Sequence, residues 1–159
     1  MTHARGTDGH PDGAEDRVEA VAMGAVARTR TRGLHFYGHV LGMTVPPPAD
    51  GPPRPYLAPD PCITPGPVPP VAVAVAADLA MGSAVRAAVG AGRRLGTTSM
   101  TLHHLSPAVT APVRTESSVV WLDADRRNGL ARADLIDATG SLVGAGRAQR
   151  SPGAVQAWS

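Results

Sequence analysis

The sequence predicts an α+β domain in which one antiparallel sheet wraps around one long, buried helix. The helix is read from residues 71–90 (VAVAVAADLAMGSAVRAAVG), which are apolar around most of the helical circumference, so other elements must enclose them. The sheet is read from four runs with strand character that follow, at 97–105, 113–123, 129–138 and 141–150. Their separators, Ser106-Pro107, Arg126-Arg127-Asn128-Gly129 and Thr139-Gly140, are turn chemistry, and the last three runs read as a meander of hairpins. At 159 residues the chain has the length of one domain with a real core.

Taken in order, residues 1–13 are rich in Gly, His, Asp and Thr, have nothing to bury, and read as a disordered tail. The domain occupies 14–150. Val18, Val21, Ala22, Ala25 and Val26 recur at helical spacing, with acids leading and Arg28 trailing, so 14–33 reads as an amphipathic N-terminal helix. Residues 35–45 (HFYGHVLGMTV) suit a first strand ending at Pro46. Twelve of the sixteen prolines fall between Pro46 and Pro70, which excludes a helix or central strand there but permits an edge strand within 54–63. The central helix begins after Pro70 and stops at Gly90 and Gly92. Residues 151–159 read as a C-terminal tail.

Composition narrows the function classes. The formal net charge is +2, from fifteen arginines against thirteen acids with no lysine, and neither sign forms a block, so no nucleic-acid footprint is expected. An anionic small ligand remains compatible, since every cation is a planar fork suited to phosphate or carboxylate. Cys62 is the only cysteine, which excludes an intrachain disulfide. The N-terminus lacks an apolar signal segment and the longest apolar run stops at Asp78, so a cytoplasmic protein without a membrane span is expected.

Asp78 is the informative residue. A carboxylate within an enclosed apolar helix must be paired, have its ionisation shifted, or reach solvent, and the first two situations concentrate at functional sites. His35, His39, His103 and His104 lack a completing Cys or carboxylate at ligand spacing, so no metal site is expected. GAGRRLG has the wrong glycine spacing for a dinucleotide loop, and MGSAVRA lacks the second glycine of a nucleophile elbow, which leaves Ser83 to helix packing.

The succession ADLAMGSAVRA, GRRLGTTSMTLHHLSPA and TESSVVWLDADRRNGLARADLIDATGSLVGAGRAQ, from about Pro61 to Gln149, resembles the hotdog-fold acyl-CoA thioesterases of the phenylacetic-acid-degradation (PaaI) type. The resemblance implies a hotdog fold and hydrolysis of an acyl-CoA or acyl-carrier-protein thioester, with coenzyme A entering as part of the substrate and no other cofactor. It implies that Asp78 is the general base or nucleophile, and that a hydroxyl near the start of the following strand, from a partner subunit, holds the water. Thr97 matches that hydroxyl; Thr98 and Ser99 are close alternatives, since one step along a strand reverses the face. Arg93, Arg94, Arg127 and Arg147, with Arg126 and Arg150, are candidates for the phosphates of coenzyme A or simply solvated turn and strand ends. A homodimer or homotetramer follows from the same resemblance.

The family's Asn-Pro-x-Gly-x-x-His-Gly-Gly stretch is altered here. Gly66 is retained, but Pro69 stands at the His and Pro70 at the first Gly, whose backbone N–H polarises the thioester carbonyl in the family. Proline has no N–H, which leaves Val71 as the candidate donor at the helix start. Two alternatives follow: a non-hydrolytic hotdog protein that binds an acyl or polyketide-like ligand, and a hotdog enzyme that uses Asp78 for another acid/base step such as dehydration or cyclisation.

Overall fold

The computed structural model describes residues 12–32, 36–46, 54–61, 63–90, 95–125 and 127–152. They form α1 (Asp12–Arg32), α2 (Phe36–Val40), β1 (Met43–Thr44), β2 (Tyr56–Leu57), α3 (Pro70–Val89), β3 (Leu95–His104), β4 (Val113–Leu122), β5 (Gly129–Ile136) and β6 (Leu142–Pro152). The strands make one antiparallel sheet in the order β1-β2-β4-β5-β6-β3, and α3 lies on its concave face, so the α+β reading holds.

Helix α3 starts on Pro70, whose missing N–H is no loss in the first turn, and Pro69 before it is extended (φ −68°, ψ 147°) as a residue preceding proline prefers. It stops at Gly90, which has φ 94° and bonds its N–H to the Arg86 carbonyl at 3.0 Å. Ala72, Val73, Ala76, Ala77, Ala80, Met81, Ala84 and Val85 are buried. Across from them lie Val113, Ala131, Ala133, Leu135, Val143 and Ala148, also buried. Small residues dominate both surfaces, so helix and sheet interlock with few long side chains between them. Helix α3 is long and apolar enough to cross a membrane, but eight of its residues, Ala72 to Val85, are buried in this core.

Outside this core the elements differ from expectation. Residues 36–40 are helical rather than part of a strand, and only Met43 and Thr44 enter the sheet. The aromatic residues' strand preference yields here to tertiary context, with α2 packed on α1. Gly42, at φ 71°, turns the chain into β1 and lies so close to the Ala58 carbonyl that a side chain would collide with it. Helix α1 packs on α2, and its expected apolar face is graded: Ala25 is buried, Val21 and Ala22 are half-buried, and Val18 and Val26 are exposed.

The edge strand expected within 54–63 is two residues long and lies inside the sheet, between β1 and β4. Flanking prolines shorten it, and the Pro55 carbonyl accepts from Thr115 N (3.2 Å) and Thr115 Oγ1 (2.8 Å). Strand β6 reaches Pro152, paired with Leu95, so residues 151 and 152 belong to the sheet and not to a tail. The remainder of both expected tails, residues 1–11 and 153–159, lies outside the described residues.

The β5–β6 turn is organised by Asp137. Its Oδ1 accepts from Thr139 Oγ1 (2.6 Å), Thr139 N (2.9 Å) and Ser141 N (3.1 Å). The Thr139 hydroxyl, helped by the Ser141 and Thr139 amides, holds this carboxyl below its ordinary value of 3.8, against the opposing effect of burial. A lowered folded value means that the stabilisation is complete above the ordinary value and is lost as pH falls through the folded one. Asp137→Ala is therefore expected to lower the thermal midpoint at pH 7 and to flatten its decline below pH 4, checked by melting curves of both proteins from pH 7 to pH 2.5.

Candidate active site

The alternation of strand β6 sets the site. Gly144, Gly146, Ala148 and Arg150 are buried on the concave face, whereas Arg147 and Gln149 are exposed on the other. Arg150 ends this inward row opposite Gly129 of β5 and Thr97 of β3. Directly above it is the one acidic residue of α3, Asp78.

Asp78 Oδ1 accepts two hydrogen bonds, from Thr97 Oγ1 at 2.7 Å and from Arg150 Nη2 at 2.8 Å. The same Nη2 also bonds the Asp78 backbone carbonyl. Arg150 is buried, its side chain 6% exposed, whereas the Asp78 side chain is 42% exposed. Burial pushes the guanidinium below its ordinary value, the Asp78 carboxylate opposes that shift, and Arg86 nearby adds to it. Among the described residues nothing donates to Asp78 Oδ2. Within the described residues the site is a half-exposed carboxylate with one oxygen fixed and the other without a donor.

Thr97 reaches Asp78 through a β-bulge. The register passes from Thr97↔Arg150 to Ser99↔Gln149, so Thr98 is the inserted residue. This separates the three hydroxyl candidates: Thr97 points to Asp78, Thr98 Oγ1 donates to the Gln149 carbonyl at 3.2 Å, and Ser99 faces away from α3. The contact lies within one chain, where the resemblance would bring the hydroxyl from a second subunit. Because the Thr97 hydrogen is committed to Asp78, only its lone pairs remain for a water.

Val71 is 63% exposed in the first turn of α3. The two amides after it, Ala72 N and Val73 N, both bond the Pro69 carbonyl, at 2.9 and 3.3 Å, and among the described residues no backbone acceptor takes the Val71 N–H. Seven residues separate Val71 from Asp78, so the two share a helix face about 10 Å apart. Gly66, at φ 96°, is exposed in the segment leading to the helix.

The arginine candidates divide. Arg147 lies on the convex face with Arg132 beside it, so the sheet separates it from Asp78. Arg127 is in the β4–β5 turn, near Arg150's end of the sheet, where its N–H donates to Asp123 Oδ1 at 2.5 Å. Arg93 and Arg94 lie outside the described residues, as do Arg126, His35 and Cys62. His103 and His104 pair with Ala145 and Gly144 on opposite faces, and among the described residues no group of three or more His, Cys, Asp or Glu could hold a metal ion. Arg150 is the residue that the sequence reading placed wrongly, as one more strand-end cation. Counting by twos from Gly144 would have put it on the buried face.

Solved structures share this arrangement of sheet and helix. A Bacillus halodurans protein crystallised with CoA superposes with a TM-score of 0.73 at 18% identity, covering 87% of this chain and 92% of its own. A phenylacetic acid degradation-related protein of Ralstonia eutropha gives 0.61 at 19% identity, over 79% of this chain and 97% of its own. A thioesterase family protein of Silicibacter pomeroyi gives 0.64 at 17% identity, over 87% and 97%. The chain has the hotdog fold. No family model matches it, and no curated protein matches it. The hotdog sheet is thus present at sequence identities that establish the fold alone.

The hydroxyl contact has a measurable cost. Replacing Thr97 by Val keeps the shape and removes the donor to a charged acceptor, so Thr97→Val should lower the unfolding free energy by about 1 kcal/mol, with Thr97→Ser restoring most of it, read from urea denaturation. Unchanged stability in Thr97→Val would show that the hydroxyl does not hold the carboxylate in solution.

Proposed function

We propose that the protein is a thioesterase that hydrolyses an acyl-CoA or acyl-carrier-protein thioester, with Asp78 as general base or nucleophile. The observation that carries this reading is the half-exposed carboxylate whose Oδ1 is tied down and whose Oδ2 is not. As a base, Oδ2 takes a proton from water while the water oxygen bonds to the thioester carbonyl carbon; the C–S bond then breaks and the thiolate takes up the proton. As a nucleophile, Oδ2 bonds to the carbonyl carbon and the C–S bond breaks to release the thiolate; water then hydrolyses the resulting anhydride, regenerating the carboxylate and supplying the proton that the thiolate takes up. Val71 N–H, at the positive end of α3, is the donor for the developing oxyanion. Support also comes from the bound CoA of the Bacillus halodurans structure.

The working form in this reading is a homo-oligomer, a dimer or tetramer, in the cytoplasm. Strand β3 is a ten-residue sheet edge, and Met100 and Val71 beside it are exposed, which a second copy would cover. Pro70 favours one other reading, a hotdog protein that holds an acyl ligand without hydrolysing it, because the donor position before Val71 has no N–H.

A panel of acyl-CoAs assayed for released thiol separates the two. The expected result is turnover by the wild-type chain and a kcat lower by about 10² to 10⁴ in Asp78→Asn. Tight acyl-CoA binding without thiol release by the wild-type chain would overturn the hydrolase reading in favour of the binding protein.

A further inference from the structure

We propose that Arg150 is a positioning residue for Asp78: its guanidinium, seated in the space left by Gly82, grips Oδ1 and the backbone carbonyl of Asp78 and so presents Oδ2 to the substrate side. The proposal rests on the reading of Asp78 as the reacting carboxylate. It adds two residues that neither the fold nor the resemblance assigns to the site.

The geometry is specific. Gly82 stands one helical turn after Asp78, on the same face. A Cβ built there would lie 3.2 Å from Arg150 Cζ, Nη1 and Nη2 alike, so the planar guanidinium lies flat over the glycine and any side chain would press on it. Nη2 is thereby brought to two of the three oxygens of one residue, the Asp78 carbonyl and Oδ1. A lysine ammonium, a point donor on a flexible stem, cannot reproduce a flat seat against the helix.

The cost also points to positioning. Arg150 is one of three polar or charged residues buried in the described core, and its Nε is buried with no hydrogen-bond partner. A charge placed only for stability would have its donors satisfied or be replaced by an apolar residue. With Asp78 itself half-exposed, the carboxylate has no need of a buried cation to remain in the fold. What the guanidinium does supply is orientation, because without it Oδ1 would be held by the exposed Thr97 hydroxyl alone.

The test uses the full chain and two readouts. In thioester hydrolysis, Arg150→Met should lower kcat about a hundredfold with KM little changed, the loss expected when a reacting group is displaced by about 1 Å. Arg150→Lys should recover only part of it, and methylguanidinium added at millimolar concentration should raise the rate of Arg150→Ala but not that of Asp78→Asn. Gly82→Ala is the sharpest variant: its Cβ would press on the guanidinium, so kcat should fall with KM little changed, whereas a guanidinium with no part in placing Asp78 would leave kcat at the wild-type value even if the melting temperature falls. The second readout is independent of turnover. Asp78→Asn strands a buried cation and should lower the melting temperature, and Arg150→Met in the same chain should return much of that loss.

Wild-type kcat in Arg150→Met, or additive melting shifts in the double variant, would overturn the positioning role. Absence of turnover in the wild-type chain would instead overturn the hydrolase reading; the melting cycle would still decide whether Arg150 holds Asp78.

Discussion

The structure depends on how closely α3 approaches its sheet. Alanine dominates the buried face of the helix, alanine and glycine the inward rows of β5 and β6, and where the sheet carries Gly129 and Gly144 the helix places Val85 and Val73 against them. Larger residues would push the layers apart, as overpacking does in any dense interior. The described core is accordingly filled by alanine, valine, leucine and methionine, with no aromatic residue among its buried members. It also defines the single exception. One guanidinium enters the layer between helix and sheet, and it enters where the helix carries glycine.

This arrangement places a charge pair at the margin of the apolar layer between α3 and the sheet. Arg150 is buried, whereas its counter-ion opens toward solvent, so the pair is asymmetric: the cation is enclosed and the anion is presented. A carboxylate held by a buried cation and still open to solvent has access to water, which a base or nucleophile requires. The small residues of the core thus serve the site as well as the fold, because long side chains on α3 would deny the guanidinium its place.

Much of this was legible in the sequence, for reasons that differ from residue to residue. Helix α3 stands out as a long apolar, Ala-rich run bounded by Pro70 and Gly90, and the β4–β5–β6 meander as runs of strand formers between strong turn signals. Asp78 stands out because it interrupts an apolar run. What did not show were elements shorter than a period: β1 and β2 have two residues each, and α2 has five that carry aromatic strand formers. Thr97 was readable as one of three adjacent hydroxyls, and the choice among them required the bulge, which leaves no mark in the composition. Arg150 looked like a solvated strand end because arginine at such positions usually is one; only the run of inward Gly144, Gly146 and Ala148 distinguishes it from Arg147.

The inserted residue in β3 has an effect on the whole strand. An unbroken strand ties the facing of every residue to that of its neighbours, so a site residue at one end constrains the pattern at the other. Thr98 interrupts that rule. Thr97 faces the carboxylate, and beyond the insertion the alternation restarts with Met100 paired to Ala148 and Leu102 to Gly146 on the inner face. The strand therefore carries two independent phases, one that answers to Asp78 and Arg150 and one that answers to the exposed sheet edge.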